Sequence, residues 1–398
     1  MTQQLHIDGT CASGFELVKH AFEENFRERG EVGASLAIYV DGQPVVDLWG
    51  GLAADDQRWR AHTATLVYSA TKGVSSVLVH LLADRGLIGL DKAVADYWPE
   101  FGVAGKDQIT VRQLLSHQAG LPYLEPFLTR DELFAGKPAA TALASQTPIW
   151  EPGTGHGYHA LTFGWLVGEM VARVTGETFG SVLAREVAAP LGLDLWVGVP
   201  DVSKIDYAPL RNAIPDSSAQ SPAHNDPEFA AAMSKILAAI ADPNSTFSRT
   251  FTANGELPTP DATTWNDPRA LAMEQPAASA VTNGRSLARL YAACVAPVDG
   301  IRLLSDDAVE AAAEEQVNGP DLVAILPSRI GVGFQLDDPG TPLLTAGSFG
   351  HPGAGGALGF ADREHKVGFG YAQNQLGTGI TSDPRTTAVI DALRRSLS

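Results

Sequence analysis

Cysteine is nearly absent from this sequence. Cys11 and Cys294 are the only two in 398 residues, too few and too isolated for a disulfide framework or a cysteine metal site, so both read as structural thiols. No run reaches the roughly twenty apolar residues needed to span a bilayer. Residues 1–14 carry neither a basic n-region nor an apolar h-region, which makes a cytoplasmic protein the expectation. Cationic charge is scarce. Against 46 Asp and Glu stand 28 Lys and Arg, and the net charge of −18 repels nucleic acid and anionic membranes and disfavours highly anionic substrates at long range. The histidines are scattered without a His-Glu-x-x-His, and no Gly-x-x-x-x-Gly-Lys-Ser/Thr occurs, so no metal and no nucleotide cofactor is expected.

What remains is an ordinary globular composition, 44% hydrophobic and 19% charged, with enough chain for a large core in two lobes. Its most informative residues are Ser69 and Lys72. Ser69-Ala70-Thr71-Lys72 is the single Ser-x-x-Lys, and it opens a strongly apolar helical stretch, 73–87. On a helix, residues i and i+3 share one face, so the lysine amine reaches the serine hydroxyl as a nucleophile and base would. Val74, Val77, Leu78, Leu81 and Leu82 recur at helical spacing and mark the helix as buried. A lysine in its first turn is then desolvated, which lowers the amine pKa toward what a base needs. The serine lies at the positive end of the helix, where a backbone N–H can face a developing oxyanion.

The rest of the chain has a clear layout. A helix over 15–29, with Val18, Phe22 and Phe26 on its apolar face, precedes strands 35–40 and 44–49 around the turn dipeptide Asp41-Gly42. Residues 69–195 are mainly helical. Residues 200–275, rich in Pro, Asp, Asn, Ser and Thr around one helix near 229–240, read as a pocket-shaping excursion. A helix over 286–295, strands 330–336, 357–362 and 367–373, and a final helix over 386–395 complete the pattern. The reading is α/β (α+β): a sheet domain built from 1–67 and 297–398, with the mainly helical 68–296 inserted and the cleft where they meet.

Two further segments aim chemistry at that cleft. Tyr158 sits where the glycine-rich 151–160 loop enters a helix over 161–174, so its phenol can project from a loop that permits close backbone approach. The turn Gly350-His351-Pro352-Gly353-Ala354-Gly355-Gly356 leaves room for substrate along the backbone, and a backbone N–H there can complete an oxyanion hole.

Four segments, 68–72, 109–121, 152–158 with its helix, and 350–353, match in order and separation and together resemble the serine penicillin-recognising superfamily. Within it the chain is most similar to the family VIII carboxylesterases, which look like class C β-lactamases. The resemblance implies the β-lactamase/penicillin-binding-protein-like transpeptidase fold, an antiparallel sheet flanked by terminal helices plus an inserted helical domain. It also implies Ser69 as the acylated nucleophile, Lys72 and Tyr158 as the proton-transfer pair, and the N–H groups of Ser69 and Ala354 as the oxyanion hole. His351, Gly353, His159 and Tyr123 are the candidate substrate-binding residues.

Departures set the subclass. Tyr158 is followed by His159-Ala160 instead of x-Asn, and His351-Pro352-Gly353 stands where lactamases and peptidases have a lysine that helps hold the substrate carboxylate. Hydrolysis of short-chain carboxylic esters is therefore the leading expectation, with a small-molecule ester as partner and no cofactor. A β-lactamase, D-amino-acid amidase or acyltransferase using the same residues, and a non-catalytic acyl-ligand binder, stay as alternatives. Ser348 is a competing nucleophile, because Ala346-Gly347-Ser348-Phe349-Gly350 nearly reproduces Gly-x-Ser-x-Gly. Only about fifty residues follow it, too few for the crossover units of a parallel sheet.

Overall fold

The computed structural model describes residues 5–214, 227–378 and 382–398. The main sheet contains β1 (Ile7–Cys11), β2 (Gly33–Val40), β3 (Gln43–Ala54), β4 (Val317–Pro320), β5 (Pro327–Ile330), β6 (Gln335–Leu336), β7 (Ser348–Pro352), β8 (Leu358–Asp362) and β9 (Val367–Gln373). Their order is β1-β3-β2-β9-β8-β7-β6-β5-β4, every neighbouring pair antiparallel. Both chain ends thus supply one sheet, closed where β2 pairs with β9. Asp41 and Gly42 join β2 to β3 with φ of 47° and 77°, the positive pair that a tight hairpin of this twist needs.

Five helices position the site: α1 (Glu16–Glu28), α2 (Ala70–Asp84), α3 (Thr162–Thr175), α4 (Gly284–Val295) and α5 (Pro384–Leu397). α1 and α5 cover one face of the sheet, where Phe22, Leu36, Phe369, Tyr371, Val389 and Leu393 share a core. α4 covers the other. A Cβ on Gly368 or Gly370 of β9 would overlap the carbonyl oxygens of Ala288 or Gly284, so these glycines let α4 lie directly on the sheet backbone. α4 falls in the stretch expected to be helical domain, yet it packs on the sheet. α2 lies beyond it, close enough that a Cβ on Gly73 would overlap Tyr291 Oη.

Several local expectations change. The strand expected over 330–336 is two strands, β5 and β6, because the chain turns through Gly333 at φ 86°. Residues 350–352, expected in a glycine-rich turn, belong to β7, and the turn begins only at Gly353. β1, β4 and a small sheet of Thr65–Leu66, Ala280–Thr282 and Leu195–Val197 had no clear alternation to announce them. The 200–275 excursion holds more helix than expected: Thr246–Thr252, Ala262–Trp265 and Pro268–Ala272 join Pro227–Ala241, while residues 215–226 lie outside the described residues. Ser245, Asp261 and Asp267 cap the three short helices with their side chains, a signal present in the sequence. No helix among the described residues is long and apolar enough to cross a membrane.

Candidate active site

Helix α2 begins at Ala70, earlier than the apolar pattern predicted, and Ser69 is its N-cap residue. The Ser69 hydroxyl makes no capping bond. The chain reaches it through Tyr68 at φ 43°, a conformation costly for a bulky side chain and sustained only by its surroundings. Here the Tyr68 ring packs edge-on against Trp265 at 5.5 Å, and its hydroxyl accepts the Asp261 N–H at 3.2 Å.

One turn into α2, Lys72 is completely buried. Its Nζ lies 3.2 Å from Ser69 Oγ and donates to the carbonyls of Ala160 at 2.7 Å and Ala277 at 3.2 Å. Burial holds the amine well below its ordinary pKa. With two N–H groups taken by carbonyls, a neutral amine turns its lone pair to Ser69. Ala277 comes close because position 164 on α3 has no side chain: a Cβ there would overlap Gln275 Oε1 and sit 2.7 Å from Ala277 N.

Tyr158 comes from the opposite wall. Burial pushes its phenol pKa well up, offset in part by the neighbouring Ser69 hydroxyl. Lys72 Nζ lies 4.7 Å from the centre of its ring, and Phe251 stacks on the ring at 5.8 Å. Asp321 fixes the backbone: its Oδ1 accepts the N–H groups of Tyr158 (3.1 Å), Val323 (2.8 Å) and Ala324 (2.6 Å). Nothing local in the sequence announces this clamp, since 163 positions separate the partners.

The third element is the turn after β7. Gly353 presses against the Ser69 turn so closely that a Cβ would overlap Val67 O. Its N–H donates to Ala357 O at 2.7 Å, and Gly356 N–H donates to Gly353 O at 3.1 Å. The N–H groups of Ser69 and Ala354 donate to no acceptor among the described residues, and both residues line one cavity of about 650 Å³. Such donors, free and held by the fold, are what a developing oxyanion requires.

The expected substrate contacts divide. Gly353 lines the cavity, but His351, His159 and Tyr123 do not. His159 uses both ring nitrogens on backbone: Nε2 accepts the Leu121 N–H at 2.9 Å and Nδ1 donates to Gly157 O at 2.6 Å, which fixes the loop before Tyr158. Burial pushes its pKa down to about 4. His351 donates from Nδ1 to Pro352 O at 2.7 Å, and burial, reinforced by the nearby Lys72, pushes it down to about 3. It is neutral and cannot replace a lysine as an anion partner. Tyr123 is occupied by Arg249, whose guanidinium stacks on its ring at 3.7 Å. Phe247 and Phe251, stacked at 4.5 Å, form part of the cavity wall in their place. They are one helical turn apart in a segment that the sequence pattern left as loop. The same positions share one face once Thr246–Thr252 is a helix.

Comparison with known proteins gives consistent results. The family model described as beta-lactamase matches residues 19–394. The esterase/beta-lactamase LipL of Mycobacterium tuberculosis is 36% identical over 379 residues, which cover 93% of this chain and 83% of the relative. Among solved structures, a family VIII carboxylesterase is 35% identical with a TM-score of 0.85, covering 98% of this chain and 100% of the other. EstA from Arthrobacter nitroguajacolicus Rue61a is 32% identical with a TM-score of 0.82, covering 98% of each. The fold is therefore the β-lactamase/penicillin-binding-protein fold that the sequence resemblance implied, and the chain belongs to the beta-lactamase family of serine hydrolases.

Proposed function

We propose that this protein hydrolyses neutral carboxylic esters through an acyl-enzyme on Ser69. Lys72, neutral through burial and 3.2 Å from Ser69 Oγ, accepts the serine proton as Oγ attacks the ester carbonyl. The tetrahedral oxyanion sits against the N–H groups of Ser69 and Ala354, each such donor being worth about 3 kcal/mol in related chemistry. Tyr158, whose phenol stays protonated, passes a proton to the departing alkoxide and recovers one through Lys72. Alcohol leaves, the acyl group remains on Oγ, and water activated by the same pair releases the carboxylic acid.

One observation carries the choice of substrate. The described residues lining the cavity include no lysine and no arginine, and its acids are Asp321 and Asp383. A substrate carboxylate, such as β-lactams and peptide termini present, would find no lysine or arginine in that lining to pair with, since Asp383 is already held by Arg385 behind the wall. Neutral esters avoid that cost, and an apolar wall that includes Phe247, Phe251 and Leu343 suits their hydrocarbon parts. Short-chain esters fit, and the volume leaves room for larger ones. The names of the relatives, one of them joining esterase and beta-lactamase, make the comparator plain. Turnover of a butyrate ester should far exceed turnover of a chromogenic cephalosporin. Equal kcat/KM values would overturn the ester preference while leaving the Ser69 chemistry standing.

A further inference from the structure

The carbonyl of Gly355, one residue beyond Ala354, accepts three hydrogen bonds at once. They come from Gln373 Nε2 at 2.7 Å, Arg385 Nη2 at 2.7 Å and the Gly377 N–H at 2.9 Å. Three donors on one carbonyl over-determine the orientation of its peptide. The Arg385 guanidinium is buried and fully used: Nε and Nη2 bind the two oxygens of Asp383 at 2.8 and 2.7 Å. Nη1 reaches Glu31 at 3.3 Å and Gln375 O at 2.9 Å. Glu31 follows α1, and Asp383 is the N-cap of α5, so both chain ends meet at this turn.

We propose that Arg385 is a positioning residue that, through the Gly355 carbonyl, holds the 353–356 turn so that the Ala354 N–H stays aimed at the reacting oxygen. The proposal rests on the Ser69 acyl-enzyme reading above. An ion pair serving stability alone would be complete with Glu31 and Asp383. The guanidinium instead extends to a turn residue that Gln373 and Gly377 also grip. The chain is cut to admit it. A Cβ on Gly356 would sit 2.8 Å from Arg385 Nη2, and one on Gly377 would sit 2.9 Å from the same atom. Gly355 and Gly356 also take φ of 84° and 117°, values that L side chains rarely adopt. Planar, five-donor geometry explains why arginine stands here, since a lysine could neutralise the two acids but not bridge them to two carbonyls.

Two variants test this, each compared with wild type for kcat and KM on a butyrate ester, thermal midpoint, and affinity for an alkyl boronic acid. The boronate forms a tetrahedral adduct on an active serine with an oxygen in the oxyanion position. Arg385→Lys keeps the charge between Glu31 and Asp383; Gln373→Met removes one donor from Gly355 O with no change of charge. In folded Arg385→Lys, kcat and boronate affinity should fall together on the order of tenfold with KM within about twofold, and in Gln373→Met by a smaller factor in the same two quantities. Wild-type kcat and boronate affinity in folded Arg385→Lys would overturn the proposal. If that variant does not fold, unchanged values in Gln373→Met overturn it instead. Labelling of wild-type Ser69 by an alkyl fluorophosphonate separates the two readings. With the label present, unaffected variants sink only the positioning role. Without it, the Ser69 reading fails and takes the positioning role with it.

Discussion

Ser69 and Ser348 both occupy patterns that hydrolases use for nucleophiles, and their surroundings differ in every respect that bears on reactivity. Ser69 is half-buried at a helix start, faces the cavity, and has a desolvated lysine 3.2 Å away. Ser348 has no exposure at all and sits in β7 directly across from Asp362 of β8. Its Oγ donates to Asp362 Oδ2 at 2.8 Å and accepts the Thr345 N–H at 3.0 Å. His365 is nearby, yet it bonds the other carboxylate oxygen, Oδ1, at 3.1 Å, so among the described residues no imidazole or amine touches the hydroxyl, and no cavity opens on it. Ser348 is thus a satisfied polar group of the sheet, in a cross-strand pair. A motif is a short string, whereas activation is a property of what the fold packs around it.

The contrast can be broken most decisively at Ser69. Ser69→Ala should lower ester turnover by roughly 10⁴-fold or more and abolish fluorophosphonate labelling at that peptide. Near-wild-type rates would end the scheme and return Ser348 to consideration. Lys72→Met should cost about as much as the serine, because groups acting as one unit are not additive. Tyr158→Phe follows, with a loss of about 10²- to 10⁴-fold in kcat as expected for a positioned proton donor. A loss confined to KM would assign Tyr158 to binding instead.

The pH axis sharpens the same comparison with a smaller effect. Lys72 must be neutral to accept a proton, and burial holds its pKa well below 10.5. Accordingly kcat/KM should rise from the acid side through that lowered pKa and stay high in alkali. A limb at the ordinary lysine position would contradict the buried base. Stability should also depend on acid. Burial pushes His80 and His159 from 6.5 down to about 4. Both are neutral in either state above 6.5. Between 6.5 and 4 the unfolded chain binds protons that the folded chain refuses, so stability falls as pH drops, by about 1.4 kcal/mol per pH unit for each histidine. Denaturant midpoints measured across that window report the slope. Smallest of all, Ser348→Ala should leave turnover within about twofold and cost roughly 1 kcal/mol of stability through its lost bond to Asp362, read from the same denaturation curves.

Much of the fold was legible because periodicity marks buried faces. α1, α2, α4, α5 and β9 follow the apolar spacing of their own residues, and the Asp41-Gly42 hairpin follows from turn chemistry. The short strands β1 and β4 and the capped helices of the excursion escaped, since a few residues carry too little periodic signal. Of the site, Ser69 and Lys72 could be read from a spacing on one helix. Gly353 was legible as a glycine that permits close approach. His159, His351 and Tyr123 were not, because a residue type says nothing about which way its ring turns or what already occupies it.

The sequence by itself therefore determined the serine-lysine pair, the helical and antiparallel classes of the two halves, and the family that the ordered motifs resemble. These depend on neighbours three or four positions apart and on the order of segments. Only the tertiary structure decided that Lys72 loses water and gains the Ala160 and Ala277 carbonyls, that Asp321 clamps Tyr158, and that Arg385 grips the turn carrying Ala354. Those contacts join residues far apart in the chain. Their energies come from burial and from backbone groups that every residue carries, so no residue type announces them.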